Sequence, residues 1–209
     1  EHTELEVEVG KRFLTEAMKT CNWQPSEVDA VLIGMSAPLS EDYLNQITKA
    51  AGIPESALKV AIHKACDGST SSLHLALNPE LPENSQLDRN IAESLYGKKV
   101  LVGGIEGLSR FVGSSHDANA LQLFGNAAGV VGVIPGTTMK FLAGRSREVF
   151  DDEGVLQAAM YYPHSPQKPD GGYNVDVTEP FKNNIRVAGL MNEPKDGSSI
   201  TMAGPMGMV

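Results

Sequence analysis

The sequence predicts an α/β domain built on a largely parallel sheet with helices on both faces. Three observations carry this. Ala30–Met35 is a short continuous apolar run of the kind a strand buried on both faces has, and Val60–Ala65, opened by the apolar Val60-Ala61-Ile62, and Val100–Ile105 read as further strands. Segments of helical periodicity lie between them, as parallel crossovers require. Glycines, 21 in 209 residues, mark many of the joints where strand gives way to loop.

The elements follow in order. Leu5, Val9, Phe13, Ala17 and Cys21 recur every four residues and predict a helix ending near Asn22, with Cys21 a buried core thiol on its apolar stripe. After Pro25 comes the first apolar strand. Ser40 is placed to cap a second helix that turns Leu44 and Ile47 inward and closes at Gly52. The second strand, Val60–Ala65, runs into Cys66, and a helix follows from about Gly68 to Leu77. Asn78 to Pro82 reads as a surface loop. Leu87, Ile91 and Leu95 predict another helix, ended by Gly97, before the third strand. Beyond Gly107, Ala120–Phe124 and Val130–Ile134 read as strands joined by a small-residue loop, Gly125–Gly129, with a further strand at Met139–Ala143. A helix around Glu148–Tyr161, a Pro/Gly/Asn-rich loop over Tyr162–Asn184 and a short strand at Ser199–Met202 complete the reading.

Composition narrows the function. Lys and Arg number 17 against 26 Asp and Glu, a net charge of −9, which opposes nonspecific nucleic-acid binding. No apolar run approaches the ~20 residues that span a membrane, and no signal-peptide pattern is present. Two cysteines make no disulfide framework, which points to a reducing, cytoplasmic compartment. No paired Cys or His spacing suggests a metal. The chain opens on Glu1 instead of Met, so its natural N-terminus, with any targeting segment, is expected to lie outside it.

Chemistry concentrates at Ala65-Cys66-Asp67-Gly68-Ser69-Thr70. A thiol where a strand turns into a helix is exposed at the strand end and faces the positive end of the helix. Such a thiol can ionise near neutral pH and attack a carbonyl, and free N–H groups at the helix start can hold an oxyanion. Small neighbours, Ala65 and Gly68, leave room for a substrate. The same position also suits a structural cysteine, and the residues by themselves leave both readings open. His63, His74, His116 and His164 are the histidines considered as a base. His63, three residues before Cys66 on a strand, points to the other sheet face, and none of the four has a supporting motif. Gly103-Gly104-Ile105-Glu106-Gly107 and Gly125–Gly129 do not match a dinucleotide-binding fingerprint.

Three segments in this order, Ala65-Cys66-Asp67-Gly68, Lys99-Val100-Leu101-Val102-Gly103-Gly104 and Leu123-Phe124-Gly125-Asn126-Ala127-Ala128-Gly129, resemble beta-ketoacyl-acyl-carrier-protein synthase III, a condensing enzyme of the thiolase fold. Ser199–Gly204 is similar to the segment that ends the family's first half. The resemblance implies a thiolase-like layered fold, with residues 1–209 forming about one of the family's two halves. The family's first strand would be missing, a loop-rich excursion would occupy about 147–197, and the C-terminal half, with the family's catalytic His and Asn, would be absent. It implies that Cys66 takes an acyl group from acyl-coenzyme A, a substrate and not a cofactor. Decarboxylative condensation with malonyl-acyl-carrier-protein would follow, as in fatty acid or related polyketide-type biosynthesis, and Phe124 would contact substrate. It implies a homodimer, completed by the missing half or a complementary chain. Asn126 and Ala127 stand where the family usually has Asp and Gly, and Asp67 follows the nucleophile where a small residue is commoner. A non-catalytic or differently specialised thiolase-fold subunit is the alternative. Hydroxymethylglutaryl-coenzyme A synthase is another, opposed by Ser36-Ala37-Pro38 where that family carries its catalytic Glu.

Overall fold

The computed structural model describes residues 2–35, 42–80, 90–109 and 118–144, together with strands at 158–160, 174–177, 184–188 and 200–202. Helix α1 (His2–Cys21) leads to strand β1 (Ala30–Gly34), helix α2 (Tyr43–Ala50) and strand β2 (Leu58–His63). Helix α3 (Gly68–Leu77), a short helix α4 (Ala92–Leu95), strand β3 (Val100–Gly107), helix α5 (Ala118–Leu123) and strand β4 (Asn126–Val133) follow. Strands β5 (Ala158–Met160), β6 (Asn174–Val177), β7 (Asn184–Ala188) and β8 (Ile200–Met202) complete the described elements.

The main sheet has the order β4-β3-β1-β2-β7-β6. Its four inner strands run parallel, and β4 and β6 are antiparallel to their neighbours. Every residue of β1 is buried, which is why its sequence is an unbroken apolar run with no alternation. Alternate residues nevertheless serve two cores. Val31 and Ile33 of β1, with Leu101 and Ile105 of β3, pack under α1 and α2 against Leu14, Met18 and Ile47. Ala30 and Leu32, with Val60, Ile62, Val100 and Val102, pack under α3 and α4 against Leu75, Ala76 and Leu95. Burying each large aliphatic side chain contributes about 1.5–3 kcal/mol. The mixed, mostly parallel, helix-covered sheet agrees with the fold class expected from sequence.

Two helices end as their sequences indicate. Asn22 adopts a left-handed φ of 55°, and the Trp23 N–H reaches back to the Met18 carbonyl at 2.9 Å. Gly52, at φ 77°, does the same for α2, with the Ile53 N–H on the Thr48 carbonyl at 3.0 Å.

Several expectations are corrected. The buried stripe of α1 is Gly10, Leu14, Ala17 and Met18; Val9 is exposed and Cys21 half-buried. Gly10 is central because α2 crosses there: a Cβ on it would lie 2.6 Å from Ile47. Residues 118–123 are helical, as their Ala, Leu and Gln content favours. The supposed loop at 125–129 is mostly strand, because β4 begins at Asn126 and pairs with β3 along its whole length. Residues 139–143 form no strand beyond a single bridge from Met139 to Pro135. Strand β5 stands where the end of a helix was expected. Within the excursion, β7 pairs with β2 and extends the sheet. Ser40 and Leu87 lie outside the described residues.

Candidate active site

Strand β2 ends at His63, a tight turn spans Ala65–Asp67, and α3 starts at Gly68. Cys66 sits in that turn as a free, exposed thiol. Asp67 holds the turn through its side chain: one carboxylate oxygen accepts the Ser71 hydroxyl at 2.7 Å and the Lys64 ammonium at 3.1 Å.

Glycine explains why the turn sits where it does. A Cβ on Gly34, at the end of β1, would lie 2.1 Å from the carbonyl carbon of Gly68, so the strand end and helix start touch backbone to backbone. A Cβ on Gly104 would lie 3.0 Å from the Ser69 Cβ. The Ser72 hydroxyl lies 2.6 Å from the Ser69 carbonyl and 3.2 Å from that of Gly103, which ties α3 to β3. The first turn of α3 is therefore pressed onto the ends of β1 and β3. The positive end of its dipole lies beside Cys66.

Cys66 opens into a cavity of about 460 Å³ between α3, the end of β3 and the start of β4. Phe124 lines the same cavity, so the structure brings together the two residues singled out in the sequence. Leu123 and Leu108 add apolar wall, while Ser69, Glu106 and Asn126 supply the polar groups. Gly125 and Gly129 also line it, and a Cβ on either would meet nothing within 4 Å. These glycines leave the space open. The side-chain oxygen of Asn126 accepts the Ser109 N–H at 3.0 Å and so joins the start of β4 to the chain leaving β3.

The histidines stand apart from this cavity among the described residues. His63 is buried and, by alternation with Val60 and Ile62, lies on the sheet face opposite α3. His74 lines a second cavity of about 220 Å³ on the other flank of α3, with Asp67, Thr70 and Phe141. Its ring stacks on Phe141 at 6.0 Å, and its Nε2 accepts the Asn78 amide at 2.8 Å. Burial pushes its pKa below the usual histidine value; Asp67 opposes the shift and Lys64 adds to it. His116 and His164 lie outside the described residues.

Among the described residues no group of three His, Cys, Asp or Glu is arranged to hold a metal ion, and no helix is long and apolar enough to cross a membrane. Glu106 was missed as a cavity residue. Its signal was its place two residues after Gly104 on a strand, hence on the same face.

No protein-family model and no curated protein matches the chain. Among solved structures, AbyA1, a tetronic acid condensing enzyme, superposes with a TM-score of 0.51 at 18% identity. The likeness is one of fold: a helix-covered, mixed and mostly parallel sheet. The superposition covers 77% of this chain and 48% of AbyA1, so the chain spans about half the length of the condensing enzyme it matches.

Proposed function

We propose that this chain is the nucleophile-bearing half of a condensing enzyme of the beta-ketoacyl-acyl-carrier-protein synthase III type. The observation that carries the reading is the shared cavity: an exposed thiol at the start of α3 and Phe124 line one space that glycines hold open.

The Cys66 thiolate attacks the carbonyl carbon of acyl-coenzyme A. The Cys66 backbone N–H stabilises the oxyanion at the helix start, the new sulfur–carbon bond forms, and coenzyme A leaves as its thiolate, which takes a proton from solvent. Malonyl-acyl-carrier-protein then loses carbon dioxide. The carbanion left behind attacks the acyl-Cys66 carbonyl, a carbon–carbon bond forms, the Cys66 sulfur leaves, and a 3-oxoacyl product departs. Phe124 packs along the acyl chain. The groups that stabilise the carbanion come from the polypeptide that completes the fold, and a homodimer is the expected assembly. The fold shared with AbyA1, a tetronic acid condensing enzyme, supports a condensing role.

The test is product formation by the intact protein from a short acyl-coenzyme A and malonyl-acyl-carrier-protein. Cys66→Ser is expected to lower 3-oxoacyl formation by at least about 10³-fold, with Cys21→Ser unchanged. A Cys66→Ser protein that keeps most of its rate removes the proposal. Phe124→Ala is expected to shift preference toward longer acyl groups; an unchanged preference takes Phe124 out of the site.

A further inference from the structure

The turn that carries Cys66 is fixed at both ends. Strand β2 holds the chain up to Ile62 by pairing with β1, and the Gly34–Gly68 contact holds it again where α3 begins. The residues between set where the thiol points. The Asp67 N–H donates to the Lys64 carbonyl at 3.1 Å and closes the turn through the backbone. Side chains close it a second time. The Lys64 ammonium lies 3.1 Å from one Asp67 carboxylate oxygen, which also accepts the Ser71 hydroxyl at 2.7 Å. Cys66 therefore sits inside a ring that Lys64 and Asp67 close and Ser71 ties to α3. The ion pair is lopsided: the Lys64 side chain is 4% exposed and that of Asp67 47%. A buried ammonium keeps its carboxylate, because releasing it leaves a charge where water does not reach it. Asp67 lines the cavity of about 220 Å³ with Ser71 and His74, whereas Cys66 lines the cavity of about 460 Å³. Successive residues of one tight turn thus face different flanks of α3, and holding Asp67 on its flank turns Cys66 onto the other.

We propose that Lys64 and Asp67 are positioning residues that aim the Cys66 thiol into the larger cavity for acyl transfer. The inference deepens the proposed function and rests on Cys66 as the acyl carrier. Attack on a thioester needs the sulfur about 3–3.5 Å from the carbonyl carbon and aligned with it. A turn free to rotate spreads the thiol over other directions, and a misplacement of about 1 Å costs on the order of 10²-fold in rate. Iodoacetamide reaches an exposed thiol from many directions and does not read this alignment. A thioester held by the cavity does. Asp67 stands where a small residue is commoner in the family that the sequence resembles, so the clamp is a property of this chain.

The experiment measures acyl loading of Cys66 from acetyl-coenzyme A in the intact protein by mass spectrometry, beside alkylation of Cys66 and Cys21 by iodoacetamide at the same pH. Asp67→Ala is expected to lower the saturating loading rate about 10- to 100-fold. The half-saturating concentration and the Cys66 alkylation rate are expected to stay within about threefold of wild type. Asp67→Asn, which keeps an acceptor oxygen for Lys64 and Ser71, is expected to recover most of the rate. Lys64→Met combined with Asp67→Ala removes the buried ammonium together with its carboxylate, strands no charge, and is expected to load as slowly as Asp67→Ala. A double variant that loads like the wild type overturns the inference, because the loss in Asp67→Ala then came from the stranded charge and not from lost aim. A wild-type rate in Asp67→Ala overturns it too. So does a fall in loading matched by an equal fall in Cys66 alkylation, or one accompanied by faster Cys21 alkylation in both variants, the mark of general unfolding. In each case Cys66 remains the nucleophile. No Cys66 adduct in the wild type overturns the nucleophile reading and this inference with it.

Discussion

Cys21 and Cys66 occupy contrasting ends of their elements. Cys21 is the last residue of α1, half-buried against β4. A Cβ on Gly132 would lie 2.5 Å from its sulfur and 2.9 Å from the Trp23 ring, so the glycine there admits side chains and the space is full. Cys66 lies before α3, exposed, and the glycines across from it, Gly125 and Gly129, have nothing within 4 Å of where a Cβ would be. One strand, β4, thus carries a glycine that packs and a glycine that opens a cavity. The difference teaches how to tell a structural thiol from a candidate nucleophile: by whether the glycines around it are filled or empty.

The largest effect is expected at the contact that seats the Cys66 turn. Gly34→Ala places a methyl against the Gly68 backbone, and overpacking of this kind costs about 2–3 kcal/mol. Urea unfolding should show the lower midpoint; an unchanged midpoint would mean that the strand end and helix start are not in contact.

A smaller pair of changes tests the two glycines of β4. Gly132→Ala crowds Cys21 and Trp23 and is expected to cost about 1–2 kcal/mol. Gly129→Ala adds its methyl in open space and is expected to be neutral or to stabilise by up to about 1 kcal/mol through the unfolded chain. The reverse order in urea midpoints would break the comparison.

The smallest effect lies on the far flank of α3. The folded-state pKa of His74 is depressed, chiefly by burial. The unfolded chain therefore binds more protons between that lowered pKa and the ordinary value of about 6.5. Stability is full above about pH 6.5 and falls as pH drops through the folded pKa. Thermal melts at pH 5 and pH 8 are expected to differ more for the wild type than for His74→Gln; equal differences would show that His74 does not titrate in this way.

Much of this fold was legible because β1 is buried at every position and most of β2 and the start of β3 are buried too, so each carries a short apolar run. The position of Cys66 was legible for the same reason, since the strand end and the Gly68 helix start are both explicit. Other parts hid behind misleading local signals. Leu121 and Leu123 are exposed, so their helix carries apolar residues outward and resembles a strand on paper. The first half of β4 is Asn, Ala and Gly, poor strand formers, and pairing with β3 makes it a strand. The α1 stripe lies one residue round from the expected one because close approach to α2 favours Gly10 over Val9 at the contact. Glu106 became a cavity residue only once the alternation of β3 was set by its two cores.

The most direct test of the central claim is where an acyl group lands. Incubation of the intact protein with a short acyl-coenzyme A, followed by peptide mapping, is expected to show one thioester-linked acyl group, on Cys66, with Cys21 unmodified. An adduct carried equally by Cys21, or none on Cys66, would contradict the account.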